Sequence, residues 1–115
     1  GKETINDKLV ALGLVVLNRK DERNLAKDVD KIYSECITFD SIQVKEEYRG
    51  YGIHSFFLKE TDKIADICNA KYILATVSPK NNFSKNNFLN NNYKVNKTMS
   101  KYNNLERDVM EKEVK

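Results

Sequence analysis

Between residues 32 and 78 the hydrophobic pattern changes period twice, and this constrains the fold more than any other feature of the chain. Residues 32–44 (IYSECITFDSIQV) are rich in β-branched and aromatic side chains, with Ile37, Phe39, Ile42 and Val44 as the main apolar positions, which predicts a strand ending near Val44. From Gly50 the apolar residues Ile53, Phe57, Ile64 and Cys68 recur at roughly helical intervals, and Phe56, Leu58 and Ile67 widen that face, so a long helix follows. Asn69-Ala70 is a helix exit, and residues 71–78 (KYILATVS) read as a strand covered on both faces that stops at Pro79. Strand, helix and strand in that order predict a βαβ-like unit whose strands lie on neighbouring or near-neighbouring lines of an α/β fold.

The flanks extend the sheet. Residues 8–17 (KLVALGLVVL) are apolar almost without break, which predicts a central strand buried on both faces. Residues 18–24 are charged and turn-like, and residues 24–31 fit either a short helix or an ordered loop. Residues 81–92 carry only a weak helical pattern, because ten of the residues from 81 to 104 are Asn, which favours turns and caps. Residues 93–102 predict a strand with Tyr93, Val95 and Met99 on one face, and residues 105–114 a last strand. Asn103-Asn104 suits the hairpin turn between them, since Asn tolerates positive φ.

A chain of 115 residues fits one α/β domain, taken here as residues 1–115. Cys36 and Cys68 are far apart in sequence and His54 is the only histidine, so clustered metal ligands are lacking and both cysteines read as reduced, core-type thiols. The longest apolar run, residues 9–17, is well short of the roughly 20 residues that span a bilayer, so no membrane partner is expected. Without a signal-peptide pattern the expected compartment is the cytoplasm. The net charge of +3 comes from 20 basic and 17 acidic residues that are interspersed rather than clustered, which argues against nucleic acid and suits an anionic small molecule or mere solubility.

The chemistry is concentrated at Tyr48-Arg49-Gly50-Tyr51-Gly52-Ile53, between the strand ending at Val44 and the long helix. A helix start leaves several backbone N–H groups unpaired, and the aligned peptide dipoles make that end positive, which suits phosphate oxygens. Glycines at 50 and 52 keep side chains out of an anion's approach to the backbone. Two glycines can equally make a tight turn and nothing more. A dinucleotide fold would need a third glycine at residue 55, which is Ser, and the Gly-Lys-Ser/Thr of a nucleotide P-loop is absent.

Val44 followed by Arg49-Gly50-Tyr51-Gly52-Ile53 resembles the central Arg/Gln-x-x-Gly-x-Gly/Ala motif of the GNAT N-acetyltransferases, preceded by its usual strand. Downstream, Ala75-Thr76-Val77-Ser78-Pro79-Lys80-Asn81 resembles the family's next strand and its Asn, and residues 88–93 the segment closing the following helix. The resemblance runs from about residue 8 to residue 114 and implies a mixed-sheet, GNAT-like acyl-CoA N-acyltransferase fold, with the family's opening strand and two helices shortened or missing. It implies acetyl-CoA as cosubstrate, its pyrophosphate held by the backbone of Arg49, Gly50, Tyr51, Gly52, Ile53 and His54, with Asn81 contributing. It also implies that Ile42 and Val44 offer main-chain groups to the pantetheine arm where two parallel strands splay apart, as in strand addition.

The implied reaction is attack of an amine on the thioester, the acceptor being a small molecule or a peptide, and a homodimer is a candidate assembly. Strand alternation puts Asp40 on the face of Ile42 and Val44 and makes it the first choice of general base; a structural Asp is the competing reading. Glu46 and Glu47 are weaker bases, and Tyr102 and Arg107 weaker candidates for an acceptor pocket. A strand amide near Val44 can polarise the carbonyl. Two positions depart from the pattern: His54 replaces the motif's last small residue, where it either crowds the phosphate or turns outward, outward being the expectation and catalysis by His54 the runner-up, and Phe88 stands where the family often has an acid-supplying Tyr. The alternatives are a coenzyme A binding or regulatory module without turnover, and a basic, Asn-rich interaction domain unrelated to coenzyme A.

Overall fold

The computed structural model describes residues 2–5 and 8–115, and side chains outside residues 3–12 and 41–44. Six strands form one mixed sheet in the order β1-β2-β3-β4-β6-β5, with β1 Lys2–Ile5, β2 Lys8–Val16, β3 Cys36–Val44, β4 Tyr72–Val77, β5 Lys94–Lys101 and β6 Leu105–Glu113. Among the described residues only β3 and β4 pair in parallel, joined by helix α1 (Ile53–Ile67), so the period change at residue 50 does mark a βαβ crossover. β1 was not anticipated. Its four residues are too few to display a period.

One face of the sheet carries α1 and α2 (Asn82–Asn90), around a core of Ile37, Phe39, Phe57, Leu58, Ile73, Phe88 and Met110. The opposite face is covered by a short 3-10 turn, Leu25–Val29, whose Leu25, Ala26 and Val29 pack on Cys36, Leu74 and Val109. Asn24 holds that turn in place. Its Oδ1 accepts from the Ala26 amide at 3.0 Å, while its Nδ2 donates to the Leu17 and Cys36 carbonyls at 3.2 and 2.9 Å. The cover does not reach Leu14, which is 44% exposed, so β2 is not buried on both faces throughout.

Helix α1 ends as the Asn69-Ala70 pair suggested. Asn69 is left-handed (φ 58), and the amides of Asn69 and Ala70 bond back to the Asp66 and Ala65 carbonyls at 3.2 and 2.9 Å, a Schellman closure. The Asn-rich segment is helical because its asparagines cap it. Asn81 Oδ1 accepts from the Ser84 amide at 3.1 Å, Asn91 Nδ2 donates to the Asn87 carbonyl at 2.7 Å, and Phe88 anchors the helix in the core.

The phase of β5 differs from simple alternation. Val95 pairs with Met110 but Lys97 with Val109, so Asn96 is an extra residue that shifts the phase by one. Tyr93 therefore packs in the helix-side core while Met99 packs on the opposite face, rather than both on one.

Candidate functional site

Two features of the backbone meet where β3 leads into α1. The first is a splay. Parallel pairing runs from Cys36–Tyr72 to Phe39–Ala75 and ends there, although β3 continues to Val44 along β2 and β4 continues to Val77 along β6. The β4-facing edge of β3 beyond Phe39, including Ile42 and Val44, thus has no ladder partner among the described residues. A bulge coincides with the splay, because Val15 pairs with Phe39 and Leu14 with Ser41, leaving Asp40 as the extra residue. The alternation that aligned Asp40 with Ile42 and Val44 is interrupted at this point. Asp40 itself is half-buried, and Arg23, forked onto Asp21 at 3.1 and 3.2 Å, is near enough to feel its charge.

The second feature is a run of free amides. After β3 a 3-10 turn, Glu46–Tyr48, positions the Arg49 amide to donate to the Glu46 carbonyl at 3.2 Å, so this amide is used within the turn. The next helical bond is from the Phe56 amide to the Gly52 carbonyl at 2.9 Å. Between them the amides of Gly50, Tyr51, Gly52, Ile53, His54 and Ser55 have no hydrogen-bond partner among the described residues. Gly50 (φ 89) and Gly52 (φ 80) are left-handed, a conformation that aims successive N–H groups into a common concavity. The space in front of each is open: a Cβ built there would meet nothing within 4 Å. No acidic residue occupies the first turn of α1 to oppose an anion.

These amides border a cavity of about 180 Å³ lined by Tyr48, Arg49, Gly50, Gly52, Ile53, His54, Ser55, Phe83 and Asn87. Its wall is tied across the two helices by Ser55 Oγ, which lies 3.5 Å from Asn87 Oδ1 and 3.4 Å from Asn91 Nδ2. Ser55, Phe83 and Asn87 were not anticipated; their approach depends on how α1 packs against α2. Helix α2 is fixed from below by Lys85, whose Nζ is 2.7 Å from Asp108 Oδ2, while Thr98 donates to the other carboxylate oxygen at 2.6 Å. Burial works against the Asp108 charge, yet Lys85 and Thr98 hold its carboxyl below the usual carboxylate range.

His54 does not turn outward. It is 4% exposed, with its ring centroid 6.2 Å from that of Phe39, 6.2 Å from Phe83 and 5.4 Å from Phe88. The reason is helical phase: His54 shares the inward face of α1 with Phe57, Leu58, Thr61 and Ala65. Neither ring nitrogen has a hydrogen-bond partner among the described residues, and burial pushes the imidazole pKa down to about 4. Its contact with Phe39, the last β3 residue paired to β4, places the cavity beside the splay.

The remaining positions are dispersed. Tyr51 is exposed, and Asn81 uses its side-chain oxygen as the α2 cap. Glu46 and Glu47 are exposed in the 3-10 turn. Phe88 is buried edge-on to Phe39 and Tyr93, so no phenol is present at that position. Tyr102 reaches Thr76 with a hydroxyl separation of 3.4 Å, while Arg107 donates to the adjacent Glu106 carbonyl at 2.8 Å. Cys36 is fully buried, which raises its thiol pKa to about 11 and leaves it unreactive. Among the described residues, no helix is long and apolar enough to cross a membrane.

Unpaired main-chain amides thus lie beside a strand edge that has no ladder partner among the described residues. No protein-family model matches the sequence, and no curated protein matches it at the sequence level. Solved structures share the fold. The N-acetyltransferase from Staphylococcus aureus Mu50 matches with a TM-score of 0.76 at 20% identity, over 97% of this chain and 65% of that one. An acetyltransferase of the GNAT family from Streptococcus pneumoniae matches with a TM-score of 0.76 at 13% identity, over 97% of this chain and 64% of that one. The protein yncA from Salmonella typhimurium, solved with its cofactor acetyl-CoA, matches with a TM-score of 0.74 at 15% identity, over 96% and 61%. The chain spans less than two thirds of the length of these three proteins. Across nearly its whole length, this chain has the fold of the GNAT acetyltransferases.

Proposed function

We propose that the chain is an acetyl-CoA-dependent N-acetyltransferase that acts on the amine of a small molecule or peptide. The observation that carries this reading is the coincidence of two unsatisfied backbone surfaces: the amides from Gly50 to Ser55, and the edge of β3 beyond Phe39. A diphosphate suits the first, where free N–H groups and the helix dipole converge. An extended, amide-bearing arm suits the second, where it adds to β3 as a strand would. The likeness to a structure solved with acetyl-CoA supports the same choice. We read residues 1–115 as one domain of such an enzyme.

In this reading Gly50, Tyr51, Gly52, Ile53 and His54 hold the diphosphate by main-chain donors, and Arg49 adds its charge at the cavity wall. Ile42 and Val44 receive the arm, and Asn81 flanks it at the head of α2. Acetyl-CoA supplies an activated acyl group as its thioester. Asp40, at the bulge, takes a proton from the ammonium form of the acceptor and leaves a neutral amine. The amine nitrogen then bonds to the carbonyl carbon, polarised by a main-chain amide near Val44, the nitrogen gives its second proton to solvent, and the C–S bond breaks. The departing thiolate takes its proton from solvent, since Phe88 offers none.

A second reading, coenzyme A binding without turnover, is favoured by the same Phe88 and its burial in the core. Titration calorimetry with coenzyme A, followed by thiol release from acetyl-CoA across an amine panel, decides between them. Binding with amine-dependent release supports the enzyme, binding without release on any amine supports the module, and no binding removes both.

A further inference from the structure

We infer that His54 gives the diphosphate a side-chain hydrogen bond in addition to the main-chain donors, so that anion binding and the protonation of this imidazole are linked. The inference rests on the coenzyme A reading above and adds a contact that the GNAT motif, with its small residue at this position, does not provide.

A buried imidazole normally finds partners for both nitrogens, because an unmet donor or acceptor away from water carries the full cost of its desolvation. In His54 both are unmet. Among the described residues, β3 presents Phe39 to the ring and α2 presents Phe83 and Phe88, while its own turn brings Tyr48 and the cationic Arg49 to the wall of the shared cavity. An orphaned polar ring at the second position of α1, lining the same cavity as the free amides, is thus matched by a ligand with phosphate oxygens. Phe83 is 45% exposed and belongs to both the aromatic enclosure and the cavity wall, so moving this one ring opens the path between imidazole and anion. Without an anion, burial keeps the imidazole neutral down to about pH 4; a diphosphate beside it favours the protonated form.

His54 is the only histidine, so its ring protons can be followed by NMR in the unaltered protein. Saturating coenzyme A is expected to raise the imidazole titration midpoint by at least about one unit. A midpoint that stays where it was overturns the inference. His54→Phe keeps the aromatic enclosure filled and removes both nitrogens; its coenzyme A affinity by calorimetry is expected to fall about tenfold. A folded His54→Phe protein that binds as tightly as the parent also overturns it, and should the variant not fold, the NMR titration decides alone. Absence of coenzyme A binding by the unaltered protein would instead remove the acetyltransferase reading itself, a result seen before any variant is made.

Discussion

The Tyr102 hydroxyl lies 3.4 Å from Thr76 Oγ1, joining the β5–β6 hairpin tip to the first β4 residue beyond the last β3–β4 pair. The tip is strained: Tyr102, Asn103 and Asn104 are all left-handed, with φ of 49, 65 and 70. Asparagine tolerates this region, whereas a bulky side chain costs roughly 1–2 kcal/mol there. Tyr102→Asn is therefore expected to raise the unfolding free energy by about 1 kcal/mol in urea denaturation. If the phenol also contacts the acceptor, the same variant raises the acceptor KM with the coenzyme A affinity unchanged.

Burial of His54 makes stability depend on acidity. Its folded pKa, about 4, lies below the ordinary imidazole value of 6.5, so the unfolded chain binds the proton first. The contribution of the neutral ring is complete above pH 6.5 and is lost as pH falls towards 4. The loss amounts to about 3 kcal/mol in total, on the order of 1.4 kcal/mol per pH unit. Comparing His54→Phe with the parent by denaturant titration between pH 4 and 7 isolates it from the carboxylates. The stability difference between the two should grow steadily towards acid, and a constant difference would contradict the buried, neutral ring.

At Gly52 the backbone and the ligand can be separated. Its φ of 80 strains any L-residue, although a Cβ meets nothing within 4 Å. Gly52→Asn, which tolerates the left-handed region, is expected to lose about 1 kcal/mol or less of stability. Gly52→Asp has nearly the same shape and adds a negative charge before the free amides, so coenzyme A affinity should fall at least about tenfold below that of Gly52→Asn. Equal affinities in calorimetry would show that no anion sits there.

Asn24 tests the opposite face of the sheet. It is fully buried and satisfies the Ala26 amide and the Leu17 and Cys36 carbonyls. Asn24→Ala leaves three polar groups behind and is expected to cost about 3 kcal/mol, measured by chemical denaturation. Asn24→Asp keeps only the acceptor function and buries a charge, so it should be at least as damaging at pH 7 and partly recover in acid.

Strand and helix positions were legible from an almost unbroken apolar run of strand length at residues 8–17 and from apolar residues recurring at helical intervals over residues 53–68. The bulges at Asp40 and Asn96 were not, since one inserted residue leaves the local composition unchanged while reversing every later position of the strand. The inward turn of His54 was legible after all, in its spacing to Phe57, Leu58, Thr61 and Ala65; taking the motif's small residue as the guide hid it. The glycine turn could be located from sequence, but the number of amides it leaves free depends on the 3-10 turn at Glu46–Tyr48 that consumes the Arg49 amide. Asn24 and the Lys85–Asp108 pair could not be found, because each joins segments distant in sequence.

Asp40 offers the sharpest separation of chemistry from binding. It is the extra residue of the β3 bulge, beside the end of the β3–β4 ladder, and is not among the residues lining the cavity that the free amides border. A base that acts only on the acceptor amine contributes to the rate and not to coenzyme A affinity. Asp40→Asn preserves size and most hydrogen bonding, so kcat should fall by about a hundredfold while the coenzyme A Kd stays within about twofold. Raising the pH supplies more neutral amine from solution, so the deficit should shrink as pH approaches the pKa of the acceptor. A deficit that is constant from pH 6 to 10 would instead make Asp40 a structural residue of the bulge, and the base would have to be sought elsewhere.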